Sequence, residues 1–256
     1  MAGGDTKLVS KADGFGLGVH HVEAEGERRG GLVLIQEIFG VNANIRAVAA
    51  DFAAEGFEVI APSLYDRVEP GFLAGYDQEG MEKAFGAAGA TDFGVAVQDI
   101  QTCIDQLEGP VFLVGFCWGG TAAWIAAAKC TGLAAVSSFY GHAVSEHLKE
   151  RPKVPTILHY GLRDPYQRPE QIEAIEKAHP EVRVFTYDDA GHGFFSDRRV
   201  VGGDEELVNA HHEESAQLAK KRTLELFKRY DSVIDWADPE WAPASNRVRS
   251  EDRGAG

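Results

Sequence analysis

The chain has 256 residues, 44% hydrophobic and 25% charged, proportions that fit a globular protein and exclude a disordered or fibrous one. Its formal net charge of −15 gives a surface that repels phosphate backbones and anionic headgroups, and no lysine- or arginine-rich run offsets it, so nucleic acid is not an expected partner. The opening MAGGDTKLVSKADG lacks the apolar stretch of a secretory signal, and no apolar run is long enough to cross a bilayer; the expectation is a cytoplasmic protein with no membrane association.

In chain order, a short strand is predicted around Gly18–Val22. GGLVLIQEIFG then reads as a buried strand, because Leu32 to Ile35 are apolar on both faces, as a central parallel strand requires. Helical spacing follows in Ile45, Val48, Ala49 and Phe52, with Asn44 as the expected cap and Gly56 as the stop. FEVIAPSLY is the next strand. Strand, helix and strand in this order make a right-handed crossover, and so a parallel sheet covered by helices.

Between Asp66 and Gly89 the chain is glycine-rich and loses its period, which suggests a surface excursion that roofs a site, with a short helix around Glu79–Phe85. Regular alternation resumes with a helix from Asp92 to Leu107, the strand PVFLVGF and the helix CWGGTAAWIAAAK. LAAVSSFYG, PTILHYG and VRVFTYDD are strands, with a helix through Glu170–Lys177 between the last two. A closing helix is expected from Leu207 to Tyr230, with Leu218, Leu224, Leu226 and Phe227 as core candidates.

The fold class is therefore α/β: a doubly wound, mostly parallel sheet with helices on both faces. One domain over residues 1–256 is expected, with 232–256 an aperiodic C-terminal extension. Trp236 and Trp241 in that extension could cover a subunit interface or pack on their own domain, so monomer and homodimer both stay open.

The strand PVFLVGF runs into Gly115-Phe116-Cys117-Trp118-Gly119 and then into a helix, a glycine-x-nucleophile-x-glycine turn. The nucleophile of such a turn sits in a strained backbone conformation, and bulk two residues to either side would strike the neighbouring strand and helix. A helix N-terminus favours a thiolate, and the backbone N–H of Trp118 is placed to donate into an oxyanion hole. Cys103 and Cys130, on helix faces, read as core thiols; with no C-x-x-C pair, the three cysteines suit a reducing compartment.

An acyl-transfer nucleophile needs a base and a carboxylate to orient it. His192, in DDAGHGFFSD, and Asp164, in HYGLRDPY, each follow a strand and come in the order nucleophile, acid, histidine. The rivals fit worse: His159 lies inside a strand, His179 ends a helix, His211 and His212 are expected on a helix, and Asp188 and Asp189 lie too close along the chain to reach the His192 ring. Glu37 sits at the carboxyl end of a central strand, where open α/β sheets bind ligands; its structural alternative is a pair with Arg46 or Arg67.

QEIFGVNANIRAVAADFAAEGFEVIAPSLY, GFCWGG, GLRDP and AGHGFF together resemble the dienelactone hydrolase family of α/β-hydrolases, from the first strand to the last helix. The resemblance implies a triad of Cys117, Asp164 and His192, and an oxyanion hole from the N–H groups of Trp118 and Ile38. It also implies a thiol held neutral against Glu37 until substrate frees the carboxylate. Members that open dienelactone hold the substrate carboxylate with two arginines, one on the excursion helix and one four residues past the histidine. The matching places here are Met81 and Ser196, with Phe85 where a tyrosine accompanies the first arginine; Arg198 is a candidate replacement.

The expected activity is hydrolysis of a small ester or lactone, with thioesters also possible, through an acyl-enzyme on Cys117. Phe39, Trp118 and Tyr140 would supply aromatic pocket walls, and no cofactor or metal is required. Two other readings remain: a non-catalytic ligand-binding or interaction protein on the same scaffold, and a zinc site joining Cys117 to His142 or His159, for which ligand spacing is absent.

Overall fold

The structure, a computed structural model, describes residues 3–197 and 211–231. Its eight-stranded sheet has the order β1-β2-β4-β3-β5-β6-β7-β8. The strands are β1 (Gly4–Val9), β2 (Gly16–Val22), β3 (Gly30–Ile35), β4 (Phe57–Pro62), β5 (Val111–Phe116), β6 (Leu133–Phe139), β7 (Thr156–Gly161) and β8 (Arg183–Tyr187). β1 and β2 pair antiparallel, as do β2 and β4; every other pairing is parallel. The fold is that of the α/β-hydrolases.

The helices are α1 (Ala43–Ala54), α2 (Gln78–Ala90), α3 (Phe93–Ile104), α4 (Trp118–Lys129), α5 (Pro169–Ala178) and α6 (Glu213–Lys228). Every residue of β3, β5, β6 and β7 is buried, because helices cover both faces of these central strands. α3 reaches Gly31 of β3 through Leu107 just beyond its end, while α6 stacks Phe227 on Phe112, whose ring centroid lies 4.4 Å away on the opposite face. α1 shares the α6 face, tied to it by Lys220 and Glu55 at 3.2 Å.

Several boundaries differ from the sequence expectation. β1 was not foreseen, since GDTKLV is exposed along almost its whole length and carries no apolar period. Asn42, not Asn44, caps α1: its side chain accepts from the Ile45 N–H, whereas Asn44 is buried inside the helix. The excursion helix α2 is longer than Glu79–Phe85. Asp77 caps it through Gly80, and buried Ala84 and Ala87 give it an inner face that an aromatic-based reading overlooks.

The closing helix begins at Glu213, with His212 as its cap and His211 before it, so neither histidine lies within the helix. Leu218 is 37% exposed; Ala216, Ala219, Thr223, Leu226 and Phe227 form the buried face instead. Residues 207–210, like Trp236 and Trp241, lie outside the described residues. Among the described residues no helix is long and apolar enough to cross a membrane.

Candidate active site

Strand order reverses direction at β3: the chain goes to β4 on one side and returns to β5 on the other. In open α/β sheets such a switch point leaves a crevice at the carboxyl ends of the strands. Glu37 and Ile38 follow β3, Cys117 follows β5, Tyr140 follows β6, Asp164 follows β7 and His192 follows β8.

Cys117 stands between β5 and α4 with φ 55° and ψ −117°, in the positive half of φ space that a residue with a side chain rarely occupies. Two glycines make this turn feasible. A Cβ on Gly115 would run into the Gly119 carbonyl and lie 2.9 Å from Ala123 Cβ; one on Gly119 would strike the Gln36 carbonyl and lie 2.7 Å from Ile35 Cγ2. The Cys117 N–H donates to the Phe139 carbonyl at 3.0 Å, which ties the turn to the end of β6.

His192 is presented by the β8 loop, where Gly193 takes φ 72°. That loop is registered against the β7 loop by backbone bonds from Leu162 N–H to Tyr187 O and from Arg163 N–H to Ala190 O, both 2.9 Å. The result is one chain of contacts: Asp164 Oδ2 to His192 Nδ1 at 2.7 Å, and His192 Nε2 to Cys117 Sγ at 3.2 Å. Asp164 is held in turn by the Tyr166 N–H, which donates to Oδ1 at 2.8 Å.

Burial pushes the Cys117 thiol up, but the His192 charge, with hydrogen bonds from His142 and His192, outweighs it and brings the group down to about 7; the Glu37 charge opposes that fall. Burial lowers His192, yet the Cys117 charge and the Asp164 hydrogen bond overcome it and carry the imidazole up to about 10. The two shifts describe one thiolate–imidazolium pair. The other thiols go the opposite way: burial pushes Cys103 far above the usual thiol range and Cys130 to about 12.

For an oxyanion, Trp118 opens α4, where the first N–H groups have no intrahelical acceptor. The chain just before Ile38 is held by Gln36, whose buried side chain donates to the Glu37 carbonyl and accepts from the Leu64 N–H at 3.2 and 3.3 Å.

The dienelactone hydrolase family model matches residues 17–231. The chain belongs to the dienelactone hydrolase family. Carboxymethylenebutenolidases of Pseudomonas putida and Pseudomonas knackmussii are each 34% identical to it over 175 residues, 64% of this chain and 74% of theirs. Among solved structures, a dienelactone hydrolase-like promiscuous phosphotriesterase from metagenomic libraries superposes with a TM-score of 0.72 at 19% identity, covering 90% of this chain and 99% of that one. The dienelactone hydrolase of Anabaena variabilis superposes at 0.61 and 18% identity, with coverage of 90% and 99%. As a member of this family the protein is a hydrolase of the ester and lactone type.

Glu37, just beyond β3, is buried. It is not paired with either expected arginine: Arg46 binds Asp5, and Arg67 binds Asp13 and Asp99. Instead Ser196 Oγ donates to Glu37 Oε1 at 2.9 Å, and the Tyr140 hydroxyl lies 3.3 Å from the same oxygen and 3.1 Å from Ser196 Oγ. The resemblance implies a thiol resting against Glu37; here Sγ is at hydrogen-bond distance from His192.

Of the expected aromatic residues, Tyr140 is fully buried with its ring 5.1 Å from that of His192, and Phe39 is 3% exposed, edge-on to Tyr76 at 4.4 Å. Their chain positions beside the sheet edge could not reveal depth. Trp118 is flanked by Tyr65 and Phe93, each at a centroid distance of 5.1 Å, and exposed Tyr166 stands 5.0 Å from the His192 ring. On α2, Met81 packs on the core and Phe85 is 55% exposed. Arg198 lies outside the described residues.

His159 is remote from this chemistry. It is buried in the core with Tyr187 and Thr223, and burial holds it well below the usual imidazole range. Among the described residues, the one converging group of three metal-capable side chains is His21, Glu23 and Glu58, which does not include Cys117. Sequence reasoning considered His142 only as a zinc ligand; its place three residues after the end of β6 was the signal that it lies at the sheet mouth.

Proposed function

We propose that the protein hydrolyses a small ester or lactone by covalent catalysis, with Cys117 as nucleophile, His192 as base and acid, and Asp164 as the group that orients the imidazole. The observation that carries this reading is the unbroken Asp164–His192–Cys117 chain at 2.7 and 3.2 Å on a strained strand-to-helix turn.

The thiol proton passes to His192 Nε2, and Sγ attacks the carbonyl carbon. The carbonyl oxygen takes the negative charge and is received by the N–H groups of Trp118 and Ile38. Collapse breaks the bond to the ester or ring oxygen, which leaves with the proton from His192. Water then gives a proton to His192 and attacks the thioester, and the second collapse releases the acid and restores the thiolate. Asp164 stays ionised throughout and keeps the Nδ1 proton in place.

With Ser196 and Met81 at the two places where dienelactone-opening relatives carry arginines, we assign uncharged esters and lactones as the preferred substrates. Turnover of dienelactone, neutral p-nitrophenyl esters and small neutral lactones, on wild type beside Cys117→Ala, tests both parts. The substitution should lower turnover by about three orders of magnitude or more, and neutral substrates should exceed the anionic one. Unchanged activity in Cys117→Ala would remove the nucleophile assignment, and a silent panel would favour a binding protein on a catalytic scaffold.

A further inference from the structure

Two residues other than glycine take positive φ among the described residues: Cys117 and Tyr140, the latter at 39°. Strain of this kind persists where the surroundings over-determine the backbone. Here they do. The Tyr140 N–H donates to the His159 carbonyl at 2.8 Å, and the Gly141 carbonyl accepts from the Tyr160 hydroxyl and the Val144 N–H, both at 3.2 Å. Gly141 packs so closely on the start of α4 that a Cβ there would lie 2.9 Å from Gly120 C and Thr121 N.

This pinned turn delivers the next side chain, His142, to the mouth of the site. Its half-buried ring lies 6.4 Å from the His192 ring, whose Nε2 meets the Cys117 sulfur at 3.2 Å, and it is among the groups that lower the Cys117 thiol. Two imidazoles, from the ends of β6 and β8, thus stand together at the mouth of the site.

Resting on the thiol reading above, we propose that His142 is a second catalytic imidazole, which donates a hydrogen bond to the Cys117 sulfur and stabilises the attacking thiolate. In this step the thiol proton goes to His192 Nε2, while His142 keeps the proton it donates towards the sulfur. No further proton moves, and the donor is already in place when the thiolate forms. The other titratable groups facing the sulfur are Glu37 from the β3 end and Tyr65 from beyond β4, with Asp164 behind His192. Glu37 opposes the thiolate, so His142 and His192 share the work of offsetting it.

The test is the rate of alkylation by iodoacetamide across pH, in which the thiolate displaces iodide and no ester substrate is needed. The acid limb of wild type should be retained by His142→Gln, which keeps an N–H donor. It should move up by about one pH unit in His142→Ala and His142→Leu, about tenfold slower alkylation near pH 6. Should the alanine variant fail to fold, the glutamine–leucine comparison decides. Coincident limbs for a donor and a non-donor at this position would overturn the proposal. A silent ester panel would sink the hydrolytic reading while leaving this profile readable, and a flat profile beside an active ester panel would remove His142 alone.

Discussion

At the scale of single residues, the chemistry depends on three cysteines having three different surroundings. Cys103 lies in the core and Cys130 donates to the Val97 carbonyl at 3.6 Å, and burial, helped by nearby Asp99 and Asp105, keeps both protonated. Cys117 is also buried but faces imidazoles, His192 backed by a carboxylate foremost, and these bring its thiol down to about 7 while His192 rises to about 10. The ion pair therefore spans roughly that window, losing the thiolate as pH falls through the lower value and the imidazolium as it rises through the upper. Iodoacetamide on the native protein near neutral pH should modify Cys117 alone, which peptide mapping by mass spectrometry will read; label at Cys103 or Cys130 without unfolding would contradict the burial argument. Glu37 acts in the opposite sense, its charge disfavouring the thiolate. Glu37→Gln should shift the alkylation limb to lower pH and raise the rate near pH 6 by about threefold, the effect of about half a unit, even where ester turnover falls.

At the scale of elements, the site depends on how closely α4 approaches the sheet. Gly119 lies against the Gln36 carbonyl at the end of β3, the same segment that presents Glu37 and Ile38. A methyl group there would have to push the helix N-terminus off the strand. Gly119→Ala should cost about 2–3 kcal/mol of stability, as overpacking typically does, and move the start of α4, with the Trp118 N–H, away from the end of β3. Urea unfolding should show the loss, and turnover per folded molecule should fall with it; a variant as stable and active as wild type would mean that α4 has room to shift. This close approach was legible in the sequence because the glycine spacing around Cys117 has a steric cause. So were the central strands, whose apolar runs have one explanation, and the order of Cys117, Asp164 and His192, each after a strand. β1 was not legible, because a strand exposed along its length leaves no pattern. The true extent of α2 was hidden by its three glycines, and the burial of Tyr140 by the fact that a position after a strand does not say which way the ring turns. Ser196 was noticed as a departure, but its contact with Glu37 joins positions 159 residues apart, beyond any local pattern.

At the scale of the whole molecule, the excursion between β4 and α3 must be held over the sheet edge without a strand or long helix of its own at its start. Arg67 does this from just beyond β4. Its guanidinium reaches Asp99 on α3 with bonds of 2.7 and 2.9 Å and Asp13 in the β1–β2 turn with bonds of 2.7 and 3.1 Å, and it covers the Phe15 ring at 4.4 Å. One side chain thus joins the antiparallel edge, the excursion and a helix layer, and two residues earlier Tyr65 supports Trp118. Asp99 is fully buried, and the Arg67 guanidinium pairs with it there. Arg67→Met keeps much of the stem and its cover of Phe15 but leaves a carboxylate in the interior. Removing one member of a buried pair costs about 3–5 kcal/mol; here, with the arginine side chain 18% exposed and water able to reach it, about 3 kcal/mol is expected. The double variant Arg67→Met with Asp99→Leu removes the stranded charge and should recover a large part of that loss in urea unfolding. If the double variant is no more stable than Arg67→Met alone, the guanidinium contributes by holding Asp13 and the hairpin, and the buried carboxylate is not what makes this residue costly to replace.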